Sequence, residues 1–275
     1  MSIKDYSLPV DKLLTLGDPR GNREWPDYIK LGLGPEHIPD LIRMVTDTEL
    51  NEADVESREV WAPLHAWRAL GQLRAEAAIE PLMRLFHEQE EDDWASQELP
   101  EVFGLIGPAA IPALIAYLAD ASHGLFPRIS AVTGLESIAM QHTDAREDCI
   151  AALTRQLEGF AEQDPTLNAF LISSLVEVVA VESALVIEQA FAADCVDETI
   201  RGDWDDVQVD LGLKEPGEKQ KQQARLIEEL NRALSNPYEL TSSATRISQP
   251  QKIGKKAKVK RKKASLSRKK NRRRR

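Results

Sequence analysis

The densest set of chemically active side chains in this chain lies at its end. Between Lys252 and Arg275, fifteen of 24 residues are Lys or Arg and none is aromatic. The run is carried by Lys255, Lys256, Lys258, Lys260, Arg261, Lys262, Lys263, Arg268, Lys269, Lys270, Arg272, Arg273, Arg274 and Arg275. Such cations neutralise phosphates, and each neutralised phosphate releases condensed counterions. With no ring to stack on a base, the expected chemistry is non-specific, salt-sensitive contact with the backbone of RNA or DNA, the ribosome included. A nuclear-import signal and a passive solubilising tail are the other uses open to the same residues.

The rest of the chain has the opposite sign. All 45 acidic residues and 19 of the 35 basic ones precede residue 240, which leaves −26 on the body and +16 on residues 240–275. Solubilising charge is thus abundant without the tail, which favours a binding role for it.

Elsewhere the candidates for chemistry are sparse. Trp61, His65 and Arg68 share one helix face at i, i+4 and i+7. Trp and Arg are favoured anchors, so this edge is a candidate protein-binding surface. The plainer reading packs Trp61 between helices and pairs His65 and Arg68 with nearby acids. None of the five histidines has another at i+4, and none has zinc-like spacing to a cysteine. Asp203-Trp204-Asp205-Asp206 opens like a calcium loop, but Gln208 and Lys214 stand where the glycine and the bidentate acid belong, so a helix cap is expected. The block Glu88 to Asp93 reads as a solvated loop, or else as a patch for a basic partner or the protein's own tail. Cys149 and Cys195 fall among apolar residues in expected helices and read as small buried hydrophobes of a reducing compartment. No phosphate-binding glycine loop or nucleophile elbow is present, so nucleotide enzymes and hydrolases have no foothold.

The elements that must position these residues are helical. Gly34-Pro35-Glu36-His37-Ile38-Pro39-Asp40-Leu41 returns as Gly107-Pro108-Ala109-Ala110-Ile111-Pro112-Ala113-Leu114, with a looser copy at Ala77-Ala78-Ile79-Glu80-Pro81-Leu82. Trp61 and Trp94 are 33 residues apart, and Ile79 and Ile111 are 32 apart. One helix pair per roughly 30–45 residues is the period of helical-repeat proteins. Apolar stripes at helical spacing support a helix from Ile38 to Val45, then stripes Val60/Leu64/Trp67/Leu70, Ile79/Leu82/Leu85/Phe86, Leu99/Val102/Phe103/Ile106 and Ile111/Leu114/Ile115/Leu118. More divergent pairs follow at 126–141 with 145–162 and at 166–179 with 182–193. Pro39, Pro81 and Pro112 sit near helix starts, where a missing N–H costs little, whereas Pro100 should kink or delay its helix. Gly71 permits a close approach or a bend. Residues 1–26 and the acidic stretch 47–57 read as irregular. Residues 196–213 read as a polar cap in which Trp204, Val207 and Leu211 cover the last repeat. A charged helix with a narrow Leu226/Ile227/Leu230 stripe is expected from Glu218 to Leu234, and disorder beyond about Ser235.

These units resemble HEAT repeats, and the Gly-Pro-x-x-Ile-Pro-x-Leu phrase is similar to the HEAT-like repeats associated with phycobilisome lyases. The resemblance spans residues 34–193, roughly 160 of 275. It implies a solenoid, an architecture that binds more often than it catalyses. Bacterial HEAT-like proteins are also similar, some with a Cys-rich metal motif at the C-terminus, but here that end has no cysteine. The iron-binding deoxyhypusine hydroxylases of this fold use several His-Glu dipeptides, whereas this chain has the single pair His87-Glu88.

The expectation is an all-α chain, an α-solenoid of HEAT-like helical hairpins with a disordered basic C-terminal tail. Its parts are an irregular segment 1–33, the solenoid with its cap 34–213, a charged linker or helix 214–239 and the tail 240–275. The expected function is that of a non-enzymatic adaptor or scaffold, with a protein partner on the solenoid face and RNA, DNA or the ribosome on the tail. The alternative is a phycobilin-lyase-like chaperone or enzyme acting on a pigment-carrying protein. A cytoplasmic protein without cofactor or metal is expected, since no stretch reaches the roughly 18 apolar residues of a membrane span and Met1-Ser-Ile-Lys-Asp-Tyr6 lacks a signal-peptide core.

Overall fold

The computed structural model describes residues 6–19, 24–88 and 93–235. Among them every regular element is helical. The chain divides into two units, residues 1–215 and 216–275.

The first unit is a stack of helix pairs. Its entry consists of the short α1 (Leu13–Leu16), α2 (Ile38–Val45) and α3 (Thr48–Asn51). Four pairs follow: α4 (Ala62–Gln72) with α5 (Ile79–Glu88), α6 (Asp93–Ile106) with α7 (Ile111–Ala119), α8 (Leu125–Gln141) with α9 (Arg146–Leu157), and α10 (Pro165–Glu177) with α11 (Ala184–Ala192). Two short helices, α12 (Glu198–Arg201) and α13 (Trp204–Asp210), end the unit.

The repeated phrase of the sequence is one recurring turn. At residues 34, 75, 107, 142 and 180 a backbone carbonyl accepts the N–H three residues on, at 2.9–3.0 Å. A helix starts directly after each turn. The turn's last residue is small and buried in four of the five, Ala78, Ala110, Ala145 and Ser183, where it leaves room for the neighbouring pair. Pro39 and Pro112 occupy the first turns of α2 and α7, where no N–H is needed. Only one of the two phrase glycines is required by its backbone. Gly107 has φ +90°, and a Cβ there would meet the His142 ring at 2.8 Å, whereas Gly34 is extended at φ −140°.

The first helices α4, α6, α8 and α10 lie side by side, and the second helices α5, α7, α9 and α11 form a looser outer layer. Gly71 lets α4 approach α6: an added Cβ would stand 3.1 Å from Leu105 and 3.4 Å from the Val102 backbone. Gly104 does the same between α6 and Ser137 of α8. One continuous core results, from Val10 and Leu13 through Leu70, Phe103, Leu135 and Leu153 to Leu175 and Val207. Each large aliphatic side chain fully buried there contributes about 1.5–3 kcal/mol.

Several expectations are corrected. Residues 1–26 are not irregular throughout, because Val10–Lys12 and α1 form helical turns that bury Val10 and Leu13. The stretch 47–57 contains α3, whose N-cap Asp47 accepts from the N–H groups of Glu49 and Leu50. Pro100 does not delay α6, which starts at Asp93 and continues through it, with Leu99, Val102 and Phe103 packed in the core on either side. Cys195 is half-buried in the loop after α11 rather than helical, while Cys149 is buried in α9. At the end of the unit Val207 and Leu211 are buried, and Trp204 lies 6.1 Å from Phe191.

The second unit contains α14 (Glu218–Ser235), on which Leu226 and Ile227 are exposed.

Candidate functional site

α4 carries the residues singled out as a contact surface. Trp61 ends the 3-10 turn before the helix and is half-buried against the core, while His65 is 2% and Arg68 4% exposed. Two of the three residues of that edge, His65 and Arg68, are therefore buried, and Trp61 keeps only part of its surface exposed. The reason lies in the N-terminal segment, which crosses this face of α4 and uses its polar groups. His65 Nε2 is 2.9 Å from the Gly17 carbonyl, and its Nδ1 is 2.6 Å from the Tyr28 hydroxyl. A carbonyl only accepts, so Nε2 carries the proton and Nδ1 accepts from Tyr28. Burial holds the imidazole below its ordinary value of 6.5, consistent with this neutral form. Two turns further, Gln72 accepts the Tyr28 N–H and donates to the Pro26 carbonyl, both at 2.9 Å.

Arg68 points to the next pair instead. Its Nε donates to Glu98 Oε2 at 2.7 Å and a terminal nitrogen donates to Oε1, while Trp67 Nε1 donates to the same carboxylate at 3.1 Å. The guanidinium also lies 4.9 Å from the centre of the Trp25 ring. Burial lowers the Arg68 pKa, but hydrogen bonds and charge from Glu98 outweigh it, so the net shift is upward. A carboxylate that takes three donors from one helix locks α6 onto α4 in a single register.

The other candidates are structural too. Asp203 and Asp206 form the N-terminal capping box of α13, each carboxylate accepting from the other's backbone N–H at 3.0 and 3.2 Å. His37 Nδ1 accepts from the Gly34 N–H at 2.9 Å, His142 Nε2 meets the Gly104 carbonyl at 2.9 Å, and His123 stacks on Tyr117. His87 is exposed on α5. Among the described residues no three His, Cys, Asp or Glu side chains converge as metal ligands. Burial, then Asp148, pushes the Cys149 thiol up to about 12, so it supplies no thiolate at neutral pH. No single described helix is long and apolar enough to cross a membrane. Residues 89–92, three of them acidic, and the whole basic tail, Lys255 to Arg275 included, lie outside the described residues.

One concavity of useful size was not anticipated. A groove of about 410 Å³ runs along α9 beside the turn that opens α11. Glu147, Ala151, Thr154 and Glu158 line one wall at helical spacing, and Glu182 and Ser183 face them. Thr154 and Ser183 join their hydroxyls at 2.7 Å. Flanking Glu182 and Ser183 in sequence, Val179, Val181 and Leu185 are 53%, 43% and 66% exposed. The sequence signal was present in this last pair, where apolar residues interrupt the outward positions of α11. Two carboxyls elsewhere, Glu101 and Glu136, are raised by burial on the first-helix layer; Glu98 adds to the first, and Ser174 hydrogen-bonds the second.

Comparison with known proteins agrees with the geometry. The PBS lyase HEAT-like repeat matches residues 66–88, which hold most of α4, the recurring turn and α5. Neither a curated protein nor a solved structure matches the chain. One helix–turn–helix unit thus matches a HEAT-like repeat, and the same turn recurs along the stack, which supports a HEAT-like helical-repeat protein.

Proposed function

We propose that this protein is a non-enzymatic adaptor: the helical-repeat unit holds a protein partner, and the basic tail tethers the assembly to a phosphate polyanion such as RNA, DNA or the ribosome. A helical-repeat fold suits interaction and scaffolding, and the buried titratable groups of α4 are consumed by internal hydrogen bonds. The observation that carries the tethering half is the charge division, +16 on residues 240–275 against −26 on the rest. The test measures binding of a short single-stranded RNA and a length-matched DNA duplex across a salt series. Affinity should fall linearly in log–log form with salt, show no sequence preference, and vanish on deletion of residues 246–275. Unchanged binding after that deletion would discard the tether.

The name of the matched family keeps a phycobilin-lyase-like role as the second reading. The matched residues are mainly core positions of α4 and α5, which account for the fold rather than for a pigment site. Visible absorbance after incubation with bilin and an acceptor protein would bring that reading forward.

A further inference from the structure

We propose that the groove between α9 and the start of α11 receives an amphipathic peptide segment of a partner protein, with Lys or Arg on one face and aliphatic side chains on the other. The inference rests on the adaptor reading and gives its partner a chemistry.

Three observations converge on it. The first is shape: α9 and α11 touch lightly, and Ile150 and Ala151 are among the residues that line the open space of about 410 Å³. The second is charge. Glu147, Glu158 and Glu182 rim the groove against the single cation Arg155. Arg146, 3.8 Å from Glu182, neutralises part of this, but it is held by the Val178 carbonyl at 2.7 Å, and among the described residues Glu147 and Glu158 have no ion pair. A cationic segment complements this rim. The third is an uncovered apolar edge. Val179, two residues past α10, has φ +52°, the left-handed turn that closes the helix through the Val179 N–H on the Val176 carbonyl and the Ala180 N–H on the Leu175 carbonyl, as Arg74 and Asp194 do after α4 and α11. Its side chain is nevertheless 53% exposed, and Val181 and Leu185, close to it in the chain, are 43% and 66% exposed. Acidic rim and aliphatic edge side by side fit an amphipathic basic segment better than a polycation, which would leave the valines and leucine in water.

The test uses the full chain and a fluorescein-labelled Leu/Lys amphipathic helix peptide, followed by anisotropy, with an all-Lys peptide and a Leu/Glu peptide as comparators. The Leu/Lys peptide should bind saturably and more tightly than either comparator. Ala151→Arg, which fills and recharges the groove at an exposed position, should weaken it by about tenfold, as loss of a central contact does. Val179→Gly, which relaxes the backbone and removes only the exposed aliphatic group, should weaken it with no loss of thermal stability. Glu76→Arg, a charge change twice as large on an exposed turn elsewhere, should leave binding unchanged. Equal weakening by Ala151→Arg and Glu76→Arg, or all-Lys binding as tight as Leu/Lys, would overturn the proposal, since either means generic charge attraction. Photocrosslinking in cells from position 151 and from Gln97 separates the two levels. A partner trapped only from Gln97 overturns this groove and keeps the adaptor; no protein from either position overturns both.

Discussion

Every residue of α4 from Ala62 to Gly71 is buried, whereas α11 buries Ile187 and Ala190 and leaves Leu185 66% exposed. Both helices belong to pairs of the same design, entered or left through the same carbonyl-to-N–H turn. The difference comes from what lies against them. Residues 6–19 and 24–33 lie against α4 and satisfy its polar groups with Gly17, Pro26 and Tyr28, while the short α12 and α13 cover the far end only in part. A helical repeat therefore does not advertise its own binding face. Polar side chains become structural where another segment covers them, and a surface remains available where the covering segment is short.

This contrast is open to direct tests. The largest effect is expected from Glu98→Ala, which strands Arg68 at a site where it is 4% exposed; breaking one side of a buried pair costs about 3–5 kcal/mol, read by denaturant melts. The double change Arg68→Met with Glu98→Leu should recover most of that loss, and a double variant as unstable as the single one would refute the pairing account. Tyr28→Phe should cost about 1–3 kcal/mol, because it leaves His65 Nδ1 buried without a donor. It should also loosen residues 6–19 and 24–33 selectively in hydrogen exchange.

A pH term follows from His65, whose pKa is depressed in the folded chain chiefly by burial, with the Gly17 hydrogen bond opposing and the Arg68 charge adding. Below the ordinary value of 6.5 the unfolded chain takes up a proton that the folded chain refuses. The contribution is thus complete above that pH and is lost as pH falls toward the folded value, with a slope of at most about 1.4 kcal/mol per pH unit. Subtracting the pH profile of His65→Gln isolates this slope from the carboxylates; parallel profiles would show that His65 protonates freely. The smallest effect belongs to the other pole, where Leu185→Ala should change stability by less than about 0.5 kcal/mol. A larger loss would mean that Leu185 is part of the core and that the α11 end is covered after all.

Much of the fold was legible in one dimension. The stripe from Ile38 to Val45 corresponds to α2 residue for residue, and the Gly-Pro phrases mark two of the recurring turns. Helical periodicity is local, so a reading of adjacent residues finds it. The two turns at 142 and 180 lack the phrase, because the turn needs only a carbonyl, an N–H and a small residue to tuck inward. The site was less legible. His65 was expected to pair with an acid, yet its partners are a tyrosine hydroxyl and a main-chain carbonyl. Glu98 stood in plain view beside Leu99 at an apolar stripe, a signal of a buried partner that the repeat spacing could have matched to Arg68.

Composition and spacing by themselves determined that the chain is helical, that it repeats, and that its charge is split between an acidic body and a cationic end. Each of these depends on neighbours a few residues away or on simple counting. Tertiary structure alone decided which polar faces are consumed and which remain open. The partners of α4 lie 30, 37 and 48 residues away in sequence, and burial depends on whichever distant segment arrives to exclude water.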